Sequence, residues 1–266
     1  MYAILDADII LYKAVQGAGS QSNIDWDDDQ DDDAQPADLE VAMRMVEATI
    51  EEWTELAGMD QFILCLSPRD GTNFRKVLLD SYKAQRKEKP AGYWELYEQV
   101  CQKYTVKSIR YLEADDVMGI LLTSPACKGS VLVSQDKDMN TLAGLHLNPF
   151  KEGEGVREVR WDRADWFWMY QTLIGDQTDN YKGCPRIGPV KARRILESDD
   201  PADWWPAVVK AYAAAGRTVE DALMQARMAR ILRNEDFDRH GRTIRLWHPD
   251  PNEVIKWSLE RRSNSD

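Results

Sequence analysis

The feature that most constrains the fold of this chain is an alternation of short apolar runs with longer stretches of helical periodicity. Four apolar runs have the length of buried strands, at residues 2–5, 62–66, 106–112 and 130–134. Apolar residues recur at helical spacing over residues 39–57, 93–104, 114–123 and 163–174. Strands that alternate with helices are typical of a mostly parallel sheet flanked by helices, so an α/β fold is predicted.

The strand signal fades after residue 175, where the chain becomes mainly helical up to a last short strand near residues 244–247. We therefore predict an α/β core over residues 1–160 and a helical region over residues 161–266 that packs on it. Two segments of biased charge interrupt the core. One is an acidic loop at residues 19–37, and the other is a basic segment at residues 71–92.

The net charge of −12 hides an uneven distribution of charged residues. Seven acids fall within residues 25–33, a block that repels itself and is predicted to be a solvated loop. Residues 69–110 carry ten Lys or Arg against five Asp or Glu, and residues 181–195 carry five bases and no acid. A low isoelectric point ordinarily counts against nucleic acid as a partner, but these two basic segments keep that partner open.

Several function classes are disfavoured by composition. No apolar run approaches the roughly 18 residues of a membrane span, so no membrane association is expected. The first residues reach a charge at Asp6 without a cleavage site, which does not fit a signal peptide. The four cysteines are scattered without a Cys-x-x-Cys pair, which indicates reduced thiols and a cytoplasmic location.

Acidic residues follow the predicted strands at the points where those strands end. In open parallel sheets, ligands bind outside the carboxyl ends of the strands, so these acids are expected to meet at one edge. Two further acids lie at the entry to the helical region. The nine candidate metal ligands are Asp6, Asp70, Glu113, Asp115, Asp116, Asp136, Asp138, Asp176 and Asp179.

The candidate ligands include no histidine and no cysteine, so they form a set of hard oxygen donors. Such a set favours Mg²⁺, with Mn²⁺ as a substitute, over Zn²⁺. Two such ions close together suit the in-line hydrolysis of a phosphodiester. Taken singly, each motif has a simpler interpretation: residues 113–116 fit a helix N-terminus, residues 136–138 fit a turn, and Asp8 fits a structural role better than a ligand.

Two other segments carry chemistry for nucleic acid. A glycine-rich turn at residues 183–189 joins two helical patterns, and its glycines allow a phosphate to approach the backbone closely. A helical hairpin that packs only for structure is the alternative. In the basic segment, Tyr82 stands beside several cations, which suits a clamp for a phosphate and a base. A solvated basic loop is the alternative there.

Six motifs together resemble the flap-endonuclease family of 5′ nucleases, most closely the phage 5′–3′ exonucleases of the podovirus type. The motifs are Leu5-Asp6, Asp70 with Asn73-Phe74-Arg75-Lys76, Tyr82-Lys83-Ala84-Gln85-Arg86, Glu113-Ala114-Asp115-Asp116-Val117-Met118-Gly119, Ser134-Gln135-Asp136-Lys137-Asp138, and Gly175-Asp176-Gln177-Thr178-Asp179-Asn180 with Gly183 and Ile187-Gly188. In order and spacing they cover about residues 1–196, and a weaker match runs from residue 225 to residue 247.

The resemblance implies a 5′ nuclease, or PIN-like, core with two metal ions, a helical arch at residues 71–92 and a helix–three-turn–helix at residues 163–197. Ligands implied for the first ion are Asp6, Asp70, Glu113 and Asp115; for the second they are Asp136, Asp138 and Asp179, with Asp116 and Asp176 in support. Lys83 and Arg86 are implied to hold the scissile phosphate. DNA contacts are expected from Arg75, Lys76, Tyr82, Lys87, Gly183, Arg186, Gly188, Lys191 and Arg194, with a K⁺ ion at the helix–three-turn–helix.

The activity implied is Mg²⁺-dependent 5′–3′ exonucleolytic hydrolysis of duplex DNA from a 5′ end or a nick, by a monomer. Cleavage of 5′ flaps and RNA–DNA hybrids is also expected, within phage-type DNA replication in the host cytosol. The chain departs from the family at the end of the second strand, where residues 65–69 contain no acid and Asp70 comes late. The acidic block at residues 25–33 has no counterpart in the family's motifs.

Other classes of protein are weighed against this resemblance. Asp6 and Asp8 resemble the Asp-x-Asp of haloacid-dehalogenase-type phosphatases, in which the first acid is a nucleophile and the second a general acid. That interpretation leaves residues 113–116, Lys83 and the glycine turn unexplained. A non-catalytic nucleic-acid-binding module is a further alternative, although the expected carboxylates are present. A Ser-His-Asp enzyme is disfavoured because the histidines, His146 among them, lie in polar, loop-like contexts.

Overall fold

A six-stranded sheet forms the centre of the computed structural model, which describes residues 1–20, 37–253 and 255–259. The predicted acidic block at residues 25–33 lies outside the described residues. The strands are β1 (Ala3–Asp6), β2 (Phe62–Cys65), β3 (Val106–Lys107), β4 (Val131–Val133), β5 (Gly144–Leu147) and β6 (Arg157–Val159). Their order is β3-β2-β1-β4-β5-β6, and only the edge strand β6 of this sheet is antiparallel to its neighbour. The mostly parallel sheet is therefore confirmed.

Helices connect and cover these strands. They are α1 (Ala7–Ser20), α2 (Leu39–Leu56), α3 (Phe74–Leu78), α4 (Tyr93–Lys103), α5 (Ala114–Leu122), α6 (Trp161–Ile174), α7 (Pro189–Ile195), α8 (Pro201–Ala214) and α9 (Val219–Ala229). Successive residues of β1 point to opposite faces of the sheet, so Leu5 lies in an apolar cluster with α1, α2 and α4, whereas Ile4 lies in a second cluster with α5. Both faces of the sheet are covered, as the continuous apolar runs predict.

Register brings the ends of the central strands to one edge. Asp6, the last residue of β1, pairs with Cys65, the last residue of β2, and Leu5 pairs with Val133, the last residue of β4. Asp6 also starts α1, because its Oδ1 accepts a hydrogen bond from the Ile9 amide at 3.3 Å. Side chains that follow β1, β2 and β4 therefore face the same space.

Four expectations about the core are corrected. The sequence analysis does not predict α1, which starts directly after Asp6 and extends through Ser20, into the segment assigned to the acidic loop. The third strand is only two residues long, because the chain turns at residues 109–112 and Tyr111 adopts a φ of 70°. Strands β5 and β6 were not predicted. His146, expected at the surface, is buried in β5.

The region after residue 160 is helical at first and then returns to the core. Helices α6 to α9 share a third apolar cluster. After α9 the chain runs back across the sheet face that holds Ile4, where it buries Ile231, Leu232 and Ile244. It ends in an antiparallel sheet of β7 (Phe237–Asp238), β8 (Thr243–Leu246) and β9 (Ile255–Ser258). The predicted strand near residues 244–247 is confirmed as β8, and its two partners were missed.

The predicted helical arch has little helix. Within residues 71–92 only α3 is helical, and turns follow through residue 85. Within the described ranges, no helix combines the length and the apolar character that a membrane crossing requires.

Candidate active site

An acidic cleft of about 430 Å³ lies at the edge where β1, β2 and β4 end. Its acidic lining residues come from the end of β1, the first turns of α1 and α5, the loop after β4 and the turn after α6. They are Asp6, Asp8, Glu113, Asp115, Asp136, Asp138, Asp176 and Asp179. Seven of the nine predicted ligands are thus brought together, and Asp8 joins them.

Hydrogen bonds fix the cleft carboxylates in place. Ser134 Oγ donates to Asp6 Oδ2 at 2.9 Å, which ties the end of β1 to the end of β4. Asp136 Oδ1 accepts from the Asp138 amide at 2.8 Å and starts a short 3-10 helix over Lys137–Thr141. In the turn after α6, Asp176 Oδ1 accepts from the amides of Thr178 and Asp179 at 2.7 and 3.2 Å. The carboxylates are therefore held by hydrogen bonds at strand ends, in turns and at a helix start.

Burial and mutual repulsion disfavour ionisation in the middle of the cleft. Burial, followed by the charge of Asp8, raises the pKa of Asp6 to about 7. Burial, followed by the charge of Asp136, raises the pKa of Asp138 to about 7. The pKa of Asp115 is also raised, by burial and then by Asp6 and Asp136. These groups are held close to one another without enough positive charge between them.

A cation would remove this imbalance. Among the described residues, no Lys, Arg or His forms an ion pair with Asp6, Asp8, Asp115, Asp136 or Asp138. The donors are all carboxylate oxygens, which hard divalent cations prefer. The donor set therefore fits such a cation. As the side chains are placed, however, no three Asp, Glu, His or Cys groups in the described part of the chain converge tightly enough to form a ready-made metal site.

Lys83 reaches into one side of the cleft from the basic segment. Its Nζ lies 2.5 Å from Glu113 Oε1 and 3.5 Å from Asp179 Oδ1, and its own amide donates to the Asp179 carbonyl at 2.9 Å. Burial raises the pKa of Glu113, but the charges of Lys83 and Arg75 outweigh it and hold that pKa at about 2. Arg86 is an exposed residue that lines the same cleft. Both predicted phosphate-binding cations therefore lie beside the carboxylates.

Two residues predicted to contact DNA are buried instead. Arg75 is 2% exposed, and its two terminal nitrogens lie 2.7 Å from the two carboxylate oxygens of Asp116. Tyr82 is also buried, with its hydroxyl 3.0 Å from both Glu113 Oε2 and Asp179 Oδ2. We therefore correct both assignments: Arg75 and Tyr82 hold the basic segment against the cleft, and neither is available to stack a base or bind a phosphate.

Two predicted metal ligands lie outside the cleft. Asp116 is fully buried between Arg75 and the Leu232 amide, so its charge is already paired within the scaffold. Asp70 is exposed in the loop after β2, where it accepts hydrogen bonds from Thr72 and pairs with Arg110 Nε at 3.2 Å. Neither residue lines the cleft, so both ligand assignments are corrected.

A basic groove of about 880 Å³ opens beside the acidic cleft and shares Asp8, Lys83 and Arg86 with it. The charged residues that line the groove but not the cleft are the cations Lys76, Lys87 and Lys89 and the acids Glu88 and Glu95. The positive charge of residues 71–92 thus borders the carboxylates on one side, which offers a path for a polyanion up to the cleft.

The glycine-rich turn is held by close backbone packing. A Cβ on Gly175 would lie 2.5 Å from the backbone of residues 181–183, and a Cβ on Gly183 would lie 2.3 Å from the Gly175 nitrogen. Gly183 is therefore buried as a packing residue, which corrects its assignment as a DNA contact. Gly188, Arg186, Lys191 and Arg194, in contrast, are exposed, as the predicted interface requires.

Three residues in or beside the cleft were not assigned to the site from the sequence. Lys137 Nζ lies 2.7 Å from Asp176 Oδ2, and Gln171 Nε2 donates to Asp138 Oδ1 at 2.5 Å. Lys137 lies between two predicted ligands in the sequence, so its place near the cleft could have been predicted. No sequence pattern points to Gln171. Asp8 was noticed but favoured as structural; it accepts hydrogen bonds from the Ser67 amide and the Tyr93 hydroxyl and also lines the cleft.

Carboxylates gathered at one edge of a parallel sheet, next to a basic groove, are typical of proteins that act on phosphodiesters. The chain belongs to the 5′–3′ exonuclease family: the model of the 5′-3′ exonuclease N-terminal resolvase-like domain matches residues 2–165. The chain is similar to an exodeoxyribonuclease of Enterobacteria phage T3 (28% identity, 92% of both chains) and to an exonuclease of Escherichia phage T7 (28% identity, 92% of this chain and 93% of the relative).

Solved structures share the fold. The D15 protein of phage T5, co-crystallised with metal ions, aligns with a TM-score of 0.59 and 18% identity over 86% of this chain and 88% of its own. The T5 D15 flap endonuclease in a pseudo-enzyme-product complex with DNA and metal ions aligns with a TM-score of 0.56 and 16% identity over the same shares. The phosphatase alternative loses its basis, because Gly175-Asp176 follows helix α6 and not a strand.

Proposed function

We propose that this protein is a divalent-metal-dependent 5′–3′ exonuclease that hydrolyses duplex DNA from a 5′ end or a nick and releases short products. One observation carries the proposal. Seven of the predicted carboxylates line a single cleft, and the same cleft is bordered by Lys83 and Arg86 from a basic groove. A basic surface that leads a phosphodiester to an oxygen-donor site is what hydrolysis at a chain end requires.

The carboxylates divide into two groups that would hold two Mg²⁺ ions. We assign Asp6, Glu113 and Asp115 to the first ion, and Asp136, Asp138 and Asp179 to the second, with Asp176 and Gln171 supporting the second set. When bound, such ions supply an activated water and stabilise the charge that develops on the phosphate. Mn²⁺ would substitute for Mg²⁺, because both prefer carboxylate oxygens.

The protein's own cations act on the substrate phosphate. Lys83 is paired with Glu113 and Asp179, and its ammonium group would be free to bind the scissile phosphate when these two acids hold a cation instead. Arg86 is exposed beside it and would hold the same or the adjacent phosphate. Lys76 and Lys87 would then bind phosphates farther along the groove.

The exposed face of the glycine turn would bind the duplex behind the cleft. Arg186, Lys191 and Arg194 carry positive charge there, and Gly188 leaves its backbone open to a phosphate. The complex of the phage T5 flap endonuclease with DNA supports this class of partner. We extend the proposal to 5′ flaps and RNA–DNA hybrids as substrates, to a K⁺ ion at this turn, and to a monomer acting in phage-type replication.

Labelled duplexes test the proposal. A duplex labelled at its 5′ end and the same duplex labelled at its 3′ end are incubated with the protein, in Mg²⁺ and in EDTA. We expect early release of the 5′ label in Mg²⁺ only. Asp136→Asn should abolish this release, whereas Asp60→Asn, an exposed acid just before β2 at the opposite end of that strand, should retain it. Retention of the 5′ label in Mg²⁺, or full activity of Asp136→Asn, would contradict the proposal.

A further inference from the structure

The acidic cleft lacks a carboxylate from the loop that follows β2. Residues 65–69 contain no acid, and Asp70, the first acid after the strand, is engaged by Thr72 and Arg110 at the surface. Strands β1 and β4, on the other hand, are each followed by acids that line the cleft. At the edge of the sheet next to Asp6, the loop after β2 therefore supplies only Ser67.

Asp8 fills this position from the neighbouring helix. It lies in the first turn of α1, two residues after Asp6. Its Oδ1 accepts from the amide of Ser67, the second residue after β2, at 3.3 Å and from the Tyr93 hydroxyl at 3.2 Å. Its carboxylate is thus held at the end of β2 by the backbone of the very loop that has no acid of its own.

The lining of the cleft places Asp8 with the other proposed ligands at the end of β2. Cys65 is the last residue of β2 and is fully buried. Asp6 is the β1 residue paired with Cys65, and Asp6, Asp8, Ser67 and Asp115 line the same cleft. Three carboxylates therefore share one cleft with Ser67 of the loop after β2, and no hydrogen bond to Asp8 Oδ2 is found among the described residues.

We propose that Asp8 is a ligand of the first divalent cation and replaces, from helix α1, the carboxylate that the loop after β2 does not provide. This inference rests on the proposed function, because it assigns a ligand within the same cleft. It also explains why Asp70 can pair with Arg110 without leaving the cation short of oxygen donors. The Ser67 amide and the Tyr93 hydroxyl act as positioning groups for the Asp8 side chain.

The substitution Asp8→Asn separates this role from a structural one. An asparagine keeps the oxygen that accepts from Ser67 and Tyr93, so the hydrogen bonds remain, but the negative charge is lost. In EDTA the variant should melt at the same temperature as the wild type or higher, because a like charge beside Asp6 is removed. A side chain that served only to fasten α1 to β2 would leave metal affinity unchanged.

Calorimetric titration of the full chain with Mn²⁺ provides the direct readout, on the wild type, Asp8→Asn, Asp70→Asn and Asp115→Asn. We expect Asp8→Asn and Asp115→Asn to weaken one Mn²⁺ site by at least about tenfold, the lower end of what loss of even an outer-shell partner costs. Asp70→Asn should match the wild type. Tyr93→Phe should weaken the same site less than Asp8→Asn, because it leaves the charge in place.

The outcomes distinguish the two proposals. Wild-type affinity in Asp8→Asn together with weakened binding in Asp115→Asn overturns the role of Asp8 and leaves the proposed function intact. Weakened binding in Asp70→Asn but not in Asp8→Asn also overturns it. If the wild-type protein binds no Mn²⁺ at all, the metal-dependent function itself fails.

Discussion

Removing the titratable group at Asp6 should change the pH dependence of stability in a direction fixed by the cleft. Asp6 is 3% exposed, and burial together with Asp8 raises its pKa from an ordinary 3.8 to about 7 in the metal-free protein. A carboxyl whose pKa rises on folding binds its proton more tightly in the folded state. Its contribution to stability is therefore present at low pH and is lost as the pH rises through about 7.

The magnitude follows from the shift. A change of about three pKa units corresponds to about 4 kcal/mol in total, of which about 2 kcal/mol is lost between about pH 5.5 and pH 8. His146 works in the opposite direction, because burial lowers its pKa to about 4 in the folded chain. If His146 has the ordinary histidine pKa in the unfolded chain, it adds about 1.4 kcal/mol of stability as the pH rises over the same range. His146 therefore offsets part of the Asp6 contribution, whereas Asp138, whose pKa is also raised to about 7, adds to the loss, so the wild-type slope alone does not isolate Asp6.

The matched variant Asp6→Asn isolates the carboxylate. Urea unfolding at the two pH values in EDTA gives the free energy of unfolding for each protein. Over this range the wild type should lose about 2 kcal/mol more stability than Asp6→Asn, because the amide does not titrate and His146 is common to both. Mn²⁺ at about 100 times its Kd should add about 2.7 kcal/mol to the wild type.

The same reasoning predicts how the stabilisation by Mn²⁺ should depend on pH. Protons and Mn²⁺ compete for the same carboxylates, so the stabilisation by Mn²⁺ should be larger at about pH 8 than at about pH 5.5. Equal pH slopes for the wild type and Asp6→Asn would show that the Asp6 carboxyl is not held in a repulsive, buried environment. A larger effect of Mn²⁺ at the lower pH would refute the competition.

Three further predictions concern the cation, the scaffold and the turn. Lys83→Ala should lower turnover on a 5′-ended duplex far more than it lowers duplex affinity; equal losses would contradict its position beside the cleft. Arg75→Met should reduce the free energy of unfolding by about 3–5 kcal/mol, because it leaves the buried Asp116 carboxylate without its ion-pair partner. Lys76→Met, at the exposed position next to it, should change the free energy of unfolding by under about 0.5 kcal/mol. Gly175→Ala should lower the free energy of unfolding by more than about 1 kcal/mol, because φ is +69° at this residue and backbone atoms lie 2.5 Å from the new Cβ. Gly188→Ala should leave the free energy of unfolding unchanged, because among the described residues no heavy atom beyond its chain neighbours lies within 4 Å of the new Cβ.

The sequence predicts the centre of the fold well because its strands are buried on both faces. A continuous apolar run marks β1, β2 and β4 within a residue or two, and helical spacing marks α2 equally well. Helix α1 also carried a signal, since Ile10, Leu11, Ala14, Val15 and Ala18 recur on one face. This signal was not used in the sequence analysis. Strands such as β3 and β7 are two residues long and leave no pattern.

The site was predictable to the extent that topology decides it. Parallel strands end at a common edge, so acids that directly follow β1 and β4 were bound to meet. Asp70 and Asp116 fail for a different reason. Each is paired with an arginine about 40 positions away in the chain, Arg110 and Arg75, and nothing in the sequence tells which of 34 bases will reach which acid. Long-range ion pairs are decided by packing.

The distribution of charge in the folded chain explains how a protein of net charge −12 can bind a polyanion. The seven acids of residues 25–33 and the eight acids of the cleft together exceed that net charge, so the remainder of the chain is positive. The groove and the exposed face of the glycine turn can therefore attract DNA phosphates without a metal ion. The cleft itself repels them until cations are bound. We therefore expect DNA to bind without a divalent ion and only its placement for cleavage to require one.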